Sequence, residues 1–188
     1  MIRMRSAFRF LLPALLALAC QAPQTATVQV APGVPFRLCR PEAGPEFFAN
    51  QEVQFRFPGG RQETVMAAIE NRGGSLNLVA SSPMGQTLFE VRVHGTEVRV
   101  DTRIPIPGDL DPRVLPALVE FALWPEEALR PGLGEGIRLE ADGARRALLR
   151  KGRPVWTVVR EGDAPPFRTL VLENPALGMS VRIRTLED

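Results

Sequence analysis

The sequence predicts a mainly β, α+β domain: a strongly curved antiparallel sheet with helices lying in its concavity. Three observations carry this expectation. Most segments from residue 51 onward alternate polar and apolar residues with a period of two, the signature of half-buried strands. Turn pairs such as Gly73-Gly74, Asp142-Gly143 and Lys151-Gly152 separate these segments at short intervals. One stretch of helical periodicity interrupts them near the middle. A sheet apolar on one face must bury that face against another layer, and the apolar stripe of the central helix is the available cover.

Gln51-Glu52-Val53-Gln54-Phe55-Arg56-Phe57 is the first alternating run, stopped by Pro58-Gly59-Gly60. Glu63 to Asn71 and Ser75 to Ala80 follow as a hairpin across Asn71-Arg72-Gly73-Gly74, whose glycines accept positive φ cheaply. Pro83-Met84-Gly85 turns into Thr87 to Val93, with Phe89, Val91 and Val93 on one face and Glu90 and Arg92 on the other. His94-Gly95 turns again, and Val98 and Val100 continue the meander. At Asp109-Leu110-Asp111-Pro112 the period changes: Asp111 suits a helix cap and Pro112 a first helical position. Val114, Leu115, Leu118, Val119, Ala122 and Leu123 then recur at helical spacing, with Pro116 predicting a bend or a late start. Trp124-Pro125-Glu126-Glu127 restarts a short second helix that ends by Pro131-Gly132. Residues 137–140, 146–150, 154–160, 168–173 and 180–185 complete the strands.

Ahead of the sheet, Met1 to Arg5 is basic, the next stretch is apolar, and Ala17 and Ala19 are small, which is the anatomy of a secretory signal peptide over residues 1–19. Its uncharged stretch is too short to span a bilayer, which takes roughly 20 residues. Leu16-Ala17-Leu18-Ala19-Cys20 resembles the lipobox of bacterial lipoproteins, with Ala17 where leucine is usual. That resemblance implies lipidation of Cys20 and anchoring to a membrane. Gln21 is not the aspartate that commonly retains such proteins in the inner membrane, so the expected location is the periplasmic face of the outer membrane. Residues 20–46 contain Pro23, Pro32, Pro35, Pro41 and Pro45, suggesting an extended linker at least at its start; the domain proper is expected over 47–188.

Cleavage before Cys20 removes Arg3, Arg5 and Arg9, leaving 20 basic against 21 acidic residues and a net charge of about −1. No Lys/Arg run survives that would serve as a nucleic-acid footprint, so nucleic acid is not expected as a partner. Once Cys20 carries lipid, Cys39 has no cysteine to pair with. No neighbouring His or Lys would lower its pKa, and it reads as a small packed side chain.

The motifs of common active sites are missing. There is no phosphate-binding glycine loop, no nucleophile elbow, no Cys-x-x-Cys pair and no second histidine to share a metal with His94. His94 precedes a turn glycine and reads as a surface imidazole; Glu126-Glu127 reads as a solvated helix start. No enzymatic activity, metal or cofactor is expected. The apolar content is more informative. Val65, Ala67 and Ile69 lie on one face of their strand and Met66 and Ala68 on the other, so the strand is either sandwiched or lines a cavity with its back covered.

The stretches "SSPMGQTLFEVRV", "FALWPEEAL", "RRALLR" (145–150) and "LENPALGMSVRIRT", in this order over about residues 50–186, resemble the domain of unknown function 3261 family. That family comprises Gram-negative outer-membrane lipoproteins, often encoded with aryl polyene biosynthesis and export genes. His94 replaces an aromatic residue usual before its turn, and Met179 replaces a tyrosine. The resemblance implies a fold like the lipoprotein-localisation carriers LolA and LolB, half-barrels whose curved sheet and helical lid enclose an acyl-binding cavity. It implies a lipidic ligand, aryl polyene-type chains included, and a periplasmic carrier or inner-membrane exporter as partner. Met66, Leu78, Phe89, Leu118, Phe121 and Trp124, chosen for size and placement, are the candidate lining residues. The alternative is an adaptor lipoprotein with a filled core that docks on an envelope complex.

Overall fold

The computed structural model describes residues 26–104 and 111–187. The signal peptide, Cys20, Gln21, the start of the linker and the Asp109-Leu110 pair lie outside the described residues.

Ten strands form one antiparallel sheet. The chain lays down β3 (Phe47–Arg56), β4 (Gln62–Arg72), β5 (Ser75–Ser81), β6 (Thr87–His94) and β7 (Glu97–Thr102) as a meander. It then passes through α1 (Val114–Leu123) and α2 (Glu126–Leu129) before β8 (Ile137–Asp142), β9 (Arg145–Arg150), β10 (Arg153–Glu161), β11 (Thr169–Asn174) and β12 (Met179–Thr185). The spatial order is β7-β6-β5-β4-β3-β12-β11-β10-β9-β8, curved and not closed. Every in-sheet connection joins sequence neighbours except two: β12 closes on β3, and the α1–α2 segment carries the chain from one edge, β7, to the other, β8. That long crossing explains why the helices lie over the sheet rather than at its end.

Register follows the alternation. Ile69 faces Leu78, Ala67 faces Ala80, and Leu78 and Ala80 face Val91 and Phe89 in turn, all buried on one face. A slip of one residue would turn this whole set to water. Charged pairs such as Arg184 with Glu52, at 3.2 Å, occupy the opposite face.

Helix α1 is apolar nearly all round, and a helix of that kind must be buried all round. Its second cover comes from a segment where a linker was expected. Residues 27–46 are folded: β1 (Thr27–Ala31) pairs with β2 (Val34–Arg37), and a 3-10 turn follows at Pro41–Ala43. Val28, Val30, Val34, Phe36 and Leu38 are buried, and β1 packs against α1. The indole N–H of Trp156 on β10 donates to the Val30 carbonyl at 2.7 Å. Asn71 on β4 donates to the Pro41 and Pro45 carbonyls at 3.0 and 2.7 Å. The proline content masked a hairpin pattern, apolar at alternate positions around Pro32-Gly33, with Gly33 at φ +67° in the turn.

The remaining elements agree with the sequence reading in kind and order. Helix α1 starts late, at Val114, which places Pro116 in the first turn, where a backbone N–H lacks an intrahelical partner in any case. Asp111 accepts the Arg113 backbone N–H at 3.0 Å, three residues ahead of the first helical residue.

Candidate functional site

The face of α1 turned to the sheet carries Leu115, Leu118, Val119, Ala122 and Leu123. With inward residues of β3, β4, β5, β6, β11 and β12 they line a cavity of about 60 Å³ that is partly open to solvent. Of its 18 lining residues 17 are apolar; the exception is Gln51. The hollow has a local cause. Ala67 and Ala80 sit opposite each other on β4 and β5, and Ala122 belongs to the same lining, so small residues meet where larger ones would fill the space.

Three of the six sequence-chosen residues, Leu78, Phe89 and Leu118, line this cavity. Met66 does not; it pairs with Glu52 and Ser81 on the opposite face and is half-buried. Phe121 and Trp124 are buried but lie outside the lining. Sequence reasoning passed over Gln51 and the alanines. The signal for them was available, since period two places Ala67 with Val65 and Ala80 with Leu78.

A broader apolar groove of about 480 Å³ lies beside the cavity, lined among others by Val30, Phe57, Trp156, Leu177 and Met179. Val114, the first residue of α1, borders the groove, and the next residue, Leu115, borders the cavity. The N-terminal turn of α1 therefore borders both spaces.

Two buried polar groups hold the rest of α1. Arg146, from the concave face of β9, donates from Nη1 to the carbonyls of Phe121 and Trp124 at 3.1 and 2.5 Å. It thus puts a positive charge at the helix's negative end. Burial and the neighbouring charge of Arg160 lower its pKa to about 10, with Glu126 and Glu127 opposing, so it stays charged at neutral pH. On another side, Glu120 is 1 % exposed and accepts the Cys39 backbone N–H at 2.9 Å. Burial raises its carboxyl from 4.5 to about 8, against the lowering effect of the hydrogen bond from the Cys39 backbone. The Cys39 thiol is buried and donates to the Ala128 carbonyl at 3.1 Å. Burial and then the charge of Glu120 push its pKa upward, leaving it an inert thiol.

The Glu120 shift carries a pH prediction. The folded carboxyl keeps its proton up to about pH 8, whereas in the unfolded chain it ionises near 4.5. Between those values the folded state binds more protons, so stability falls as pH rises, by at most about 1.4 kcal/mol per pH unit. Urea unfolding of Glu120→Gln, whose amide still accepts the Cys39 N–H, is expected to lose that slope and to be more stable than the wild type at pH 8. Parallel pH profiles for the two proteins would refute this assignment.

His94 is exposed and its Nδ1 lies 2.9 Å from Ser75 Oγ, on the outer face at the end of β6. Among the described residues no group of three His, Cys, Asp or Glu could hold a metal ion. Glu126 pairs with Arg130 at 3.2 Å on the surface.

Comparison with known proteins adds the family. Residues 49–187 match the family described as proteins of unknown function, DUF3261. The chain belongs to the DUF3261 family. No curated protein matches this DUF3261 member. Among solved structures it is similar to a LolA superfamily protein from Nitrosomonas europaea, at 9% identity and a TM-score of 0.45, covering 79% of this chain and 88% of that one. It is also similar to a domain assigned to outer membrane lipoprotein sorting in Vibrio parahaemolyticus, at 11% identity and a TM-score of 0.41, covering 74% and 83% of the two chains.

Proposed function

We propose that this protein is a non-enzymatic, lipid-anchored carrier or acceptor at the periplasmic face of the outer membrane, sheltering an acyl or polyene chain between its sheet and α1. The observation that carries the reading is the lining: an interior space bounded by 17 apolar residues and no charged one. Each methylene moved from water into such a space contributes about 0.8 kcal/mol, enough for a chain of modest length to be held without polar contacts.

Size then dictates motion. The cavity measures about 60 Å³, whereas a dry cavity that admits benzene measures about 150 Å³. A chain enters only if α1 moves outward. Arg146 and Glu120 hold the C-terminal and middle parts of the helix, whereas its first turn borders both cavity and groove. Outward movement of that turn joins the two spaces into one trough, so the chain enters from the groove side.

The proposed anchor sits at the other end of the sheet from the groove, since the β6–β7 turn lies level with the start of β3 whereas Phe57 and Met179 lie at its end. The Ala26 backbone N–H donates to the Thr96 carbonyl at 3.2 Å, tying the first of the described residues to the β6–β7 turn. Five residues lie between Cys20 and Ala26, and the six steps of chain reach at most about 22 Å when fully extended. A lipid on Cys20 therefore holds the β6–β7 end near the membrane.

Native mass spectrometry of the protein lacking residues 1–20, purified from a periplasm without detergent, tests the carrier. A bound lipid is expected that disappears on organic extraction. In Ala122→Leu three added carbon atoms occupy the cavity, so lipid occupancy is expected to fall while the circular dichroism spectrum and unfolding transition stay near wild type. A lipid-free wild type that takes up no offered fatty acid or phospholipid would shift the reading to the adaptor with a filled core.

A further inference from the structure

Gln51 is 1 % exposed and is the sole polar residue lining the cavity under α1. Its amide has a fixed sense. The Thr185 hydroxyl donates its proton to the Phe167 carbonyl at 2.7 Å, so toward Gln51 the Thr185 oxygen can only accept. The partner 3.2 Å away must therefore be the Gln51 NH₂ group, and the amide oxygen is the other atom. That oxygen, Oε1, is buried and meets no donor.

A buried acceptor without a donor lowers stability, and native structures keep few of them. Water is a poor remedy here. A buried water needs two to four polar partners, and the lining offers one side chain that bears a polar atom. An ionised head group fares no better, because no cation lines the space to balance a carboxylate or phosphate and Oε1 would repel it. The chemistry that fits is an apolar chain or ring bearing a neutral hydrogen-bond donor.

We propose that the ligand of this cavity carries a neutral hydroxyl or amide N–H on its buried portion, and that Gln51 Oε1 receives that hydrogen bond. This rests on the carrier reading above and adds the ligand's chemical class to it. The 17 apolar residues supply affinity for the chain in general; Gln51 selects among chains. A plain hydrocarbon tail would leave Oε1 without a donor in the filled cavity, whereas a hydroxylated one satisfies it. Charged ends remain outside, in the groove or in solvent.

Two isomeric probes separate the claims: 1-decanol, which carries a donor, and 1-methoxynonane, which has the same atoms and none. Each is titrated into the ¹⁵N-labelled full-length protein in lipid nanodiscs, with empty nanodiscs correcting for partition into the bilayer. The wild type is expected to bind the alcohol about 3- to 10-fold more tightly than the ether, the range of one net hydrogen bond. Gln51→Leu is expected to bind both equally. If the variant does not fold, the Gln51 side-chain amide signals of the wild type read the same contact, shifting with decanol and not with the ether. Equal binding of the isomers by the wild type, without that shift, overturns the role of Gln51 and leaves the carrier reading standing. Binding of neither probe overturns both.

Discussion

Arg146→Leu is expected to lower the free energy of unfolding by about 2–6 kcal/mol, because two buried carbonyls left without a donor cost roughly 1–3 kcal/mol each. Those are the carbonyls of Phe121 and Trp124, which both accept from Arg146 Nη1 at the end of α1. Part of the loss is offset. Arg146 Nε is itself buried without a partner, so removing the side chain also removes a poorly solvated group. The loss remains large against a total stability of about 5–15 kcal/mol for a typical domain. Arg146→Lys, which can reach one of the two carbonyls, is expected to fall between the wild type and the leucine variant. The check is the urea midpoint at constant m-value. A leucine variant within about 0.5 kcal/mol of wild type, the scatter of ordinary surface changes, would show that Arg146 does not clamp the helix.

The second large effect is steric. Gly44→Ala is expected to destabilise at or above the upper end of the roughly 1–3 kcal/mol usual for overpacking. A Cβ at Gly44 would lie closer than 3.0 Å to Cε2, Cδ2 and Cζ2 of Trp124. Trp124 is 0 % exposed and its ring has nowhere to retreat. Backbone strain plays no part, because Gly44 sits at φ −103°, ψ 171°, an extended conformation open to any residue. Trp124→Phe trims the ring and forfeits no hydrogen bond, since the indole nitrogen has no partner. In that background Gly44→Ala should cost less, with a coupling of roughly 0.5–3 kcal/mol in a double-mutant cycle. Additive effects would mean that the two residues do not share this contact.

Both predictions concern residues that local patterns could not identify. Period two was sufficient for the sheet, because alternation reports which side chains of a strand share a face, but it does not say which face is concave: Met66 was grouped with Leu78 and Phe89, whereas Val65 and Ala67 share their side. The helix was harder. α1 is apolar on nearly every side, so its periodicity marks a helix but not a direction. Leu118 faces the cavity while Phe121 and Trp124, equally apolar, do not. Because Phe121 is buried away from the cavity wall, a charged residue there is expected to unfold the protein rather than only to impair ligand retention. Arg146 stood inside a quoted motif, yet alternation gave no reason why an arginine should be turned inward. Its partners lie 22 and 25 residues away. The first hairpin was hidden by composition: prolines at 32 and 35 were read as a linker, although Val28, Val30, Val34 and Phe36 alternate around Pro32-Gly33.

By itself the sequence determined the strands of the ten-stranded sheet, the central helical segment and the sparing use of chemically reactive groups. Alternation, turn glycines and helical spacing act over a few residues and are legible one segment at a time. Tertiary structure alone decided that β12 closes on β3, that residues 27–38 cover α1, and that three alanines and one glutamine meet over a hollow. These depend on contacts between residues far apart in the chain, where the energy comes from shape and from buried polar groups finding partners. Gln51 shows the difference most plainly. In sequence it is the polar first residue of an alternating strand, and in the fold its amide oxygen is a buried acceptor without a donor among apolar side chains.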